Sequence, residues 1–97
     1  MLYTVNKSPF ATNNLESALG IAPAGAPILL YEDGVYAAVQ GTAQTEQMQG
    51  VLADHPVYAL KADLQARGLG ETIAGIQVID YDGFVQLVEQ HDVAPWL

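Results

Sequence analysis

The sequence contains no cysteine among its 97 residues. This absence excludes disulfide bonds, thiolate metal sites, iron–sulfur clusters and any thiol or persulfide nucleophile on the chain. Its two histidines, His55 and His91, lie in unrelated segments, which makes a histidine metal site unfavourable. We therefore expect no metal ion, no cofactor and no catalytic residue, and no enzymatic activity of the chain by itself.

Positive charge is scarce, because three Lys and Arg residues stand against eleven Asp and Glu residues and give a net charge of −8. A surface of this sign repels phosphate backbones and anionic membrane surfaces, so direct nucleic-acid binding and membrane binding are disfavoured. Charged residues make up only 14% of the chain, against about 25% in typical soluble domains. This low content indicates that another protein covers part of the surface.

Long hydrophobic runs are also missing. The apolar stretches are a few residues long, whereas a membrane-spanning helix needs about 20. The first residues, MLYTVNKSPF, lack the basic region of a signal peptide. We therefore expect a cytoplasmic protein that forms one domain over residues 1–97, with enough apolar residues, 51%, for a packed core.

Strands and helices alternate along the chain. Apolar runs rich in β-forming residues predict strands over residues 1–5, 28–31, 57–60 and 76–81. Helical spacing and end signals predict helices over residues 13–22, 45–53, 61–67 and 82–91. Connections of this length are too long for hairpins. They predict a small three-layer α/β domain with a mostly parallel, four- to five-stranded sheet flanked by helices.

Capping residues predict where the helices begin and end. Asn13 is expected to cap the first helix with its side chain, and Asp82 to cap the last. Gly68 stands where a left-handed residue ends the third helix. The segment 35–39 stays open between two interpretations. Asp33-Gly34 between apolar runs is typical of a hairpin turn, whereas the alanines that follow favour a short helix.

The loop after the first strand is the first candidate site, because ligands of open α/β sheets bind at the carboxyl ends of strands. It contains Asn6, Lys7, Ser8, Pro9 and Phe10. Lys7 could steer an anion and Ser8 could donate a hydrogen bond, although turn formation alone also explains Ser-Pro. No glycine-rich phosphate loop follows this strand, so a nucleotide site is not supported.

The ends of the second and third strands give further candidates. Glu32 and Asp33 are paired acids that could share proton transfer or hold a divalent cation, and turn formation explains Asp33 equally well. Lys61 follows the third strand, where a solvated charge is the simpler interpretation. Trp96 and Leu97 end the sequence. Because a terminal Trp left in water wastes apolar contact area, they either fold back on the domain or anchor a partner.

Five blocks resemble the DsrH/TusB family, which supplies the smallest subunit of the DsrEFH and TusBCD sulfur-relay complexes. The blocks are NKSPF at 6–10, NLESAL at 14–19, LLYEDGVYAAV at 29–39, VYALKADLQARG at 57–68 and IDYDGFVQLV at 79–88. They occur in order over nearly the whole chain. NKSPF, LES, EDGVYAA and the final Trp-Leu are more similar to DsrH of the sulfur-oxidising branch than to TusB of the tRNA-thiolating branch.

The resemblance implies a DsrE-like, flavodoxin-like fold in which Glu32 leads into a helical turn. It also implies a dimer of heterotrimers with DsrE/TusD-like and DsrF/TusC-like subunits, which passes sulfane sulfur to a DsrC/TusE-type carrier. In the sibling subunits the sulfur-carrying cysteine follows the third strand, where this chain has Leu60, Lys61 and Ala62. Some DsrH proteins have a cysteine where this chain has Ala18. The chain is therefore expected to be a non-catalytic subunit of such a complex.

Two other functions stay open. A TusB-like subunit would serve 2-thiouridine formation in tRNA instead of intracellular sulfur oxidation. A stand-alone module could bind a small molecule or a regulator at the edges formed by Lys7, Ser8, Glu32 and Asp33. Exposed apolar faces would also allow a homo-oligomer when the siblings are absent.

Overall fold

A computed structural model describes all residues of the chain, 1–97. It contains one five-stranded sheet with the strand order β4-β3-β2-β1-β5. The strands are β1 (Leu2–Val5), β2 (Ile28–Leu30), β3 (Val57–Leu60), β4 (Gln77–Ile79) and β5 (Val93–Trp96). Every neighbouring pair of strands is parallel. The predicted α/β class and the flanked parallel sheet are therefore confirmed.

Four α-helices and one 3₁₀ helix connect the strands. The α-helices are α1 (Asn14–Ile21), α2 (Thr45–Asp54), α3 (Lys61–Ala66) and α4 (Tyr81–Gln90), and the 3₁₀ helix is Glu32–Ala38. No helix is both long enough and apolar enough to cross a bilayer. Gly68, just after α3, has a φ of 62°. This is the left-handed conformation that the sequence predicts there.

The strand order places the helices on two faces of the sheet. From β1 to β4 the chain moves across the sheet in one direction, and right-handed crossovers therefore put α1, α2 and α3 on one face. The return from β4 to β5 runs the opposite way, which puts α4 alone on the other face. Residues such as Val5, Ile28 and Met48 form the 17-residue core on the first face. Leu2, Leu29 and Leu87 form a smaller core under α4.

The centre of the sheet explains why β2 has no alternating pattern. Ile28, Leu29 and Leu30 are all fully buried, because Ile28 and Leu30 face the larger core and Leu29 faces the smaller one. A strand covered on both faces has no polar side, as the unbroken apolar run predicts.

The open interpretation of residues 35–39 is resolved in favour of a helix. The 3₁₀ helix Glu32–Ala38 follows β2 directly, and Val35, Ala37 and Ala38 in it are fully buried. The turn that Asp33-Gly34 indicates is present. It leads the chain onto the face of the sheet instead of into an antiparallel strand, because the apolar side chains that follow are buried in the larger core.

Two predicted helix caps are wrong. Asn13 holds the N-cap position of α1, but its side chain makes no capping hydrogen bond, and Thr12 Oγ1 accepts from the Asn14 N–H at 3.3 Å instead. In α4 the cap is Asp80, whose Oδ1 accepts from the Gly83 N–H at 2.9 Å. Asp82 lies in the first turn of α4. Its position still favours the helix, since an acid there faces the positive end of the helix dipole.

The position of β5 decides between the two interpretations of the chain end. This strand folds back and pairs with β1. Trp96 is paired in register with Val5 and packs against the larger core. Its ring centroid lies 5.9 Å from that of Tyr3, at an interplanar angle of 49°. Leu97 stays 73% exposed. The tail therefore adds the fifth strand to the sheet. The Trp96 side chain packs partly against its own domain.

We expect Trp96→Ala to lower the free energy of unfolding by about 3 kcal/mol, because it removes a large aromatic contact with Tyr3 and the core. Chemical denaturation measured by circular dichroism checks this. Leu97→Ala is the matched control and should change stability by less than about 0.5 kcal/mol, since its side chain is exposed. Equal effects of the two substitutions would contradict the packing of β5.

Candidate functional site

The carboxyl edge of the sheet gathers most residues that the sequence singles out. Because the strands are parallel, the loops that follow β1, β2 and β3 leave the same edge, and they carry Lys7, Glu32 and Lys61. Trp96 ends β5 at this edge too, beside the end of β1. The predicted candidates thus share one edge of the sheet, although they lie in four separate parts of the sequence.

The loop after β1 is a hydrogen-bonded turn. Ser8 Oγ accepts from the Phe10 N–H at 3.1 Å, and the Ser8 carbonyl oxygen accepts from the Ala11 and Thr12 N–H groups, both at 3.1 Å. Pro9 is half-buried and Phe10 is 56% exposed. Lys7 is exposed and takes part in no ion pair. The Ser8 oxygens serve the turn, and the loop presents an aromatic ring and a cation to the outside.

Asp33, the second of the two acids after β2, belongs to an ionic network with Asp63 of α3 and with Arg67, which follows α3 directly. Arg67 Nε and Nη2 both lie 2.9 Å from Asp33 Oδ1. Arg67 Nη1 donates to the Asp63 carbonyl oxygen at 3.2 Å and lies 3.6 Å from Asp63 Oδ1. Arg67 and Asp63 keep only 24% and 19% of their side-chain surface exposed, whereas Asp33 keeps 58%. The network ties the start of the 3₁₀ helix to α3.

Glu32 adopts an unusual backbone conformation within this network. Its φ is 48°, and it is the only non-glycine residue with a positive φ. A side chain disfavours this left-handed region by roughly 1–2 kcal/mol. The Glu32 N–H donates to Asp63 Oδ2 at 2.7 Å, a short bond to a carboxylate that offsets part of that cost. Asp63 therefore holds the turn at the end of β2.

Asn6 connects this turn to the end of β1. Its Nδ2 donates to Glu32 Oε1 at 3.3 Å, while its buried Oδ1 has no hydrogen-bond partner. The Glu32 carboxylate is thus directed toward β1, and the Asp33 carboxylate toward Arg67. The two acids point to different partners and do not form a converging pair. Proton transfer shared between them has no geometric support.

The 3₁₀ helix rests directly on the end of β1. A Cβ atom added to Gly34 would collide with the Val5 carbonyl oxygen, so only glycine allows this approach. The Gly34 N–H donates to the Tyr31 carbonyl oxygen at 2.9 Å, and the Tyr31 N–H donates to the Val5 carbonyl oxygen at 3.2 Å. Backbone contacts therefore fix the distance between the ends of β1 and β2.

Sequence reasoning assigned no role to three members of the site: Asn6, which lies in the candidate loop after β1, and Asp63 and Arg67, which were not singled out. The spacing of Asp63 and Arg67, four apart on a short helix, was an available signal for an ion pair. Their contacts with Glu32 and Asp33 span 31 and 34 residues, and nothing local indicates them. Lys61 begins α3 in an exposed position and takes part in no ion pair.

The cleft beside this edge is small. It lies between the loop after β1 and the beginnings of α1 and α2, is lined by residues such as Pro9, Asn13 and Gln47, and has a volume of about 60 Å³. Ligand pockets for small molecules usually measure about 300–1,000 Å³. This cleft is therefore too small to hold a metabolite.

The family of this fold can now be identified, since residues 7–94 match the DsrH-like proteins. The chain belongs to the DsrH-like family. It is 43% identical to the protein TusB of Serratia proteamaculans over 94 residues. It is 41% identical to the TusB of Escherichia coli K12 over 92 residues. Each alignment covers 94% of both chains. These names favour the TusB alternative over the DsrH preference drawn from blocks such as EDGVYAA.

Solved structures of other proteins share the fold of the chain. The crystal structure of the YchN protein of E. coli superposes with a TM-score of 0.78, at 20% identity and 97% coverage of both chains. The solution structure of Tm0979 from Thermotoga maritima gives a TM-score of 0.64, at 26% identity and 95% coverage of both chains. The predicted DsrE-like architecture is thereby confirmed.

We expect Gly34→Ala to destabilise the DsrH-like chain by about 3 kcal/mol or more, because the new Cβ would force the 3₁₀ helix away from Val5. The midpoint of urea denaturation measures the effect. Gly50→Ala is the matched control, since nothing lies within 4 Å of a Cβ at this position in α2. It should stabilise the chain by roughly 0.5–1 kcal/mol. A tolerated Gly34→Ala would disprove the close contact.

We expect Asp63→Ala to cost about 1–2 kcal/mol, because it removes the acceptor of the Glu32 N–H and one partner of Arg67. Adding Glu32→Gly should recover about 1 kcal/mol of this loss, since glycine adopts a positive φ without strain. Urea denaturation of both variants checks the pair. Gln65→Ala, an exposed position on the same helix, should be nearly neutral. Failure of the second substitution to recover stability would contradict strain at Glu32.

Proposed function

We propose that the chain is a non-catalytic, structural subunit of a cytoplasmic sulfur-relay complex of the TusBCD type. In this role it would support the transfer of sulfane sulfur toward 2-thiouridine formation in tRNA. The similarity to proteins named TusB, at 39–43% identity over 94% of the chain, supports this choice of branch. The observation that carries the structural role is the absence of any thiol from the carboxyl edge of the sheet.

Sulfur relay between proteins requires a thiolate that attacks a persulfide and forms a new sulfur–sulfur bond. In sibling subunits of this family the cysteine follows the third strand. Here Leu60 ends β3 with 4% exposure, and Lys61 begins α3. Neither the amine of Lys61 nor the carboxylates of Glu32 and Asp33 can carry sulfane sulfur. The chain would therefore contribute by holding and shaping its neighbours.

The proposed partners are one TusC-like and one TusD-like subunit, joined in a dimer of heterotrimers, together with a TusE-type carrier that docks on the assembly. The low charged fraction, 14%, supports a chain whose surface is partly covered. So do large apolar side chains that remain exposed, among them Phe10, Ile21, Tyr81 and Val85. A surface of this kind is typical of a protein that functions in a complex.

A second candidate keeps the architecture and changes the pathway. A DsrEFH-type complex would serve intracellular sulfur oxidation. The match to the family described as DsrH-like and the blocks NKSPF and EDGVYAA favour it. The two candidates differ in the carrier they serve and in the process that fails without the chain, so one deletion separates them.

Deletion of the gene should abolish 2-thiouridine at the tRNA wobble position and leave sulfur oxidation unchanged, and the wild-type gene should restore the modification. Mass spectrometry of digested tRNA measures it. Loss of sulfur oxidation with intact tRNA thiolation would favour the DsrEFH candidate instead. Intact thiolation and intact sulfur oxidation together would exclude both.

Mass spectrometry of the intact complex after loading with a persulfide donor tests the non-catalytic role directly. Added mass of sulfur is expected on the TusD-like subunit and none on this chain. The purified chain alone, incubated with a sulfane donor and a thiol acceptor, should show no turnover above the uncatalysed rate. Turnover at an enzymatic rate would disprove the structural role.

A further inference from the structure

Helix α4 has an apolar arc wider than the core it covers. Phe84 and Leu87 pack toward the sheet, in the smaller core with Leu2 and Leu29. Tyr81, Val85 and Val88, spaced at i, i+4 and i+7, form a neighbouring stripe on the same helix. They remain 62%, 49% and 39% exposed. We call these three residues the α4 stripe.

The α4 stripe is free of charge and has acids beside it. Asp82 and Glu89, seven residues apart on α4, occupy the adjoining arc of the helix and are exposed. The helix contains no Lys or Arg. An apolar centre with a charged rim has the composition of a protein interface, and a tyrosine is among the residues most enriched at interface anchors.

The charge of the chain decides what can cover the stripe. Its only Lys and Arg side chains are Lys7 and Lys61, at the carboxyl edge, and Arg67, at the end of α3 on the opposite face. A second copy docked symmetrically through α4 would therefore bring two acidic rims together without a Lys or Arg side chain between them, on chains of net charge −8. Anionic membranes are disfavoured for the same reason.

We propose that the α4 stripe is the surface through which this chain docks a sibling subunit that has basic side chains around an apolar patch. This inference rests on the proposed function, because it names the surface by which the subunit would join its complex. The sibling's cations would pair with Asp82 and Glu89, while Tyr81 and Val85 would be buried at the centre.

Co-expression of the chain with its TusC-like and TusD-like siblings, followed by native mass spectrometry, tests the surface. Val85→Asp should reduce recovery in the complex at least about ten-fold. Gln86→Asp, which adds the same charge on the polar arc of α4, should assemble like the wild type. The unfolding midpoint of each isolated variant is measured. If Val85→Asp lowers the unfolding midpoint, Tyr81→Gln is used as the test variant instead, because Tyr81 is more exposed.

The charge of the occupant is tested separately. The double substitution Asp82→Asn and Glu89→Gln should weaken assembly several-fold at low salt and flatten its dependence on ionic strength. Unchanged affinity and salt dependence would overturn the basic rim. Normal assembly of Val85→Asp would disprove that the α4 stripe is the docking surface. The proposed function would still stand in that case, because the wild-type chain forms the complex.

Two further outcomes also count against the inference. Sedimentation equilibrium that shows a dimer of the isolated chain, dissociated by Val85→Asp, would make the occupant a second copy. A wild-type chain that does not join its siblings at all would overturn the proposed function and this inference with it.

Discussion

The backbone contact between Gly34 and Val5 is the constraint on which the carboxyl edge depends. With a glycine there, the 3₁₀ helix can lie against the end of β1. The chain must then turn sharply after β2, and Glu32 takes a left-handed conformation to do so. Asp63 accepts from the strained residue, and Arg67 bridges Asp63 to Asp33. The absence of a side chain at Gly34 thus allows the turn that places Glu32, Asp33, Asp63 and Arg67 in contact.

Much of the fold could be predicted, because its signals are local. Buried parallel strands are unbroken apolar runs, and β3 was predicted with the bounds that the structure has, since a proline precedes it and a helix follows. The residue at which each helix begins is specified less sharply by the sequence. Asp80 and Asp82 are both good capping residues, and only the backbone conformation at the end of β4 decides between them. The docking interpretation of Trp96 could not be excluded from the sequence, because pairing of β5 with β1 joins opposite ends of the chain.

The sequence indicates which candidate residues follow the ends of the strands, but not how these residues are connected. The rule that loops of parallel strands leave the sheet at the carboxyl edge is enough to place Lys7, Glu32 and Lys61 at that edge. It could not show that Asp33 binds an arginine 34 positions away. Family resemblance supplied what local physics could not, namely the expectation of a sulfur-relay context for a chain without a thiol. The similarity to TusB proteins then favoured one branch of that family.

Pro95 in the edge strand β5 limits how the molecule can associate. Leu2 donates to Asp92 and is paired with Val93, so the main-chain groups of Val93 and Pro95 point away from the sheet. Proline has no N–H to offer there, and an incoming strand would lack a donor at the middle of this border. Growth of the sheet into a continuous ribbon is therefore disfavoured on this side. An oligomer that approaches from there depends more on side chains, which can distinguish one neighbour from another, whereas backbone pairing accepts almost any sequence.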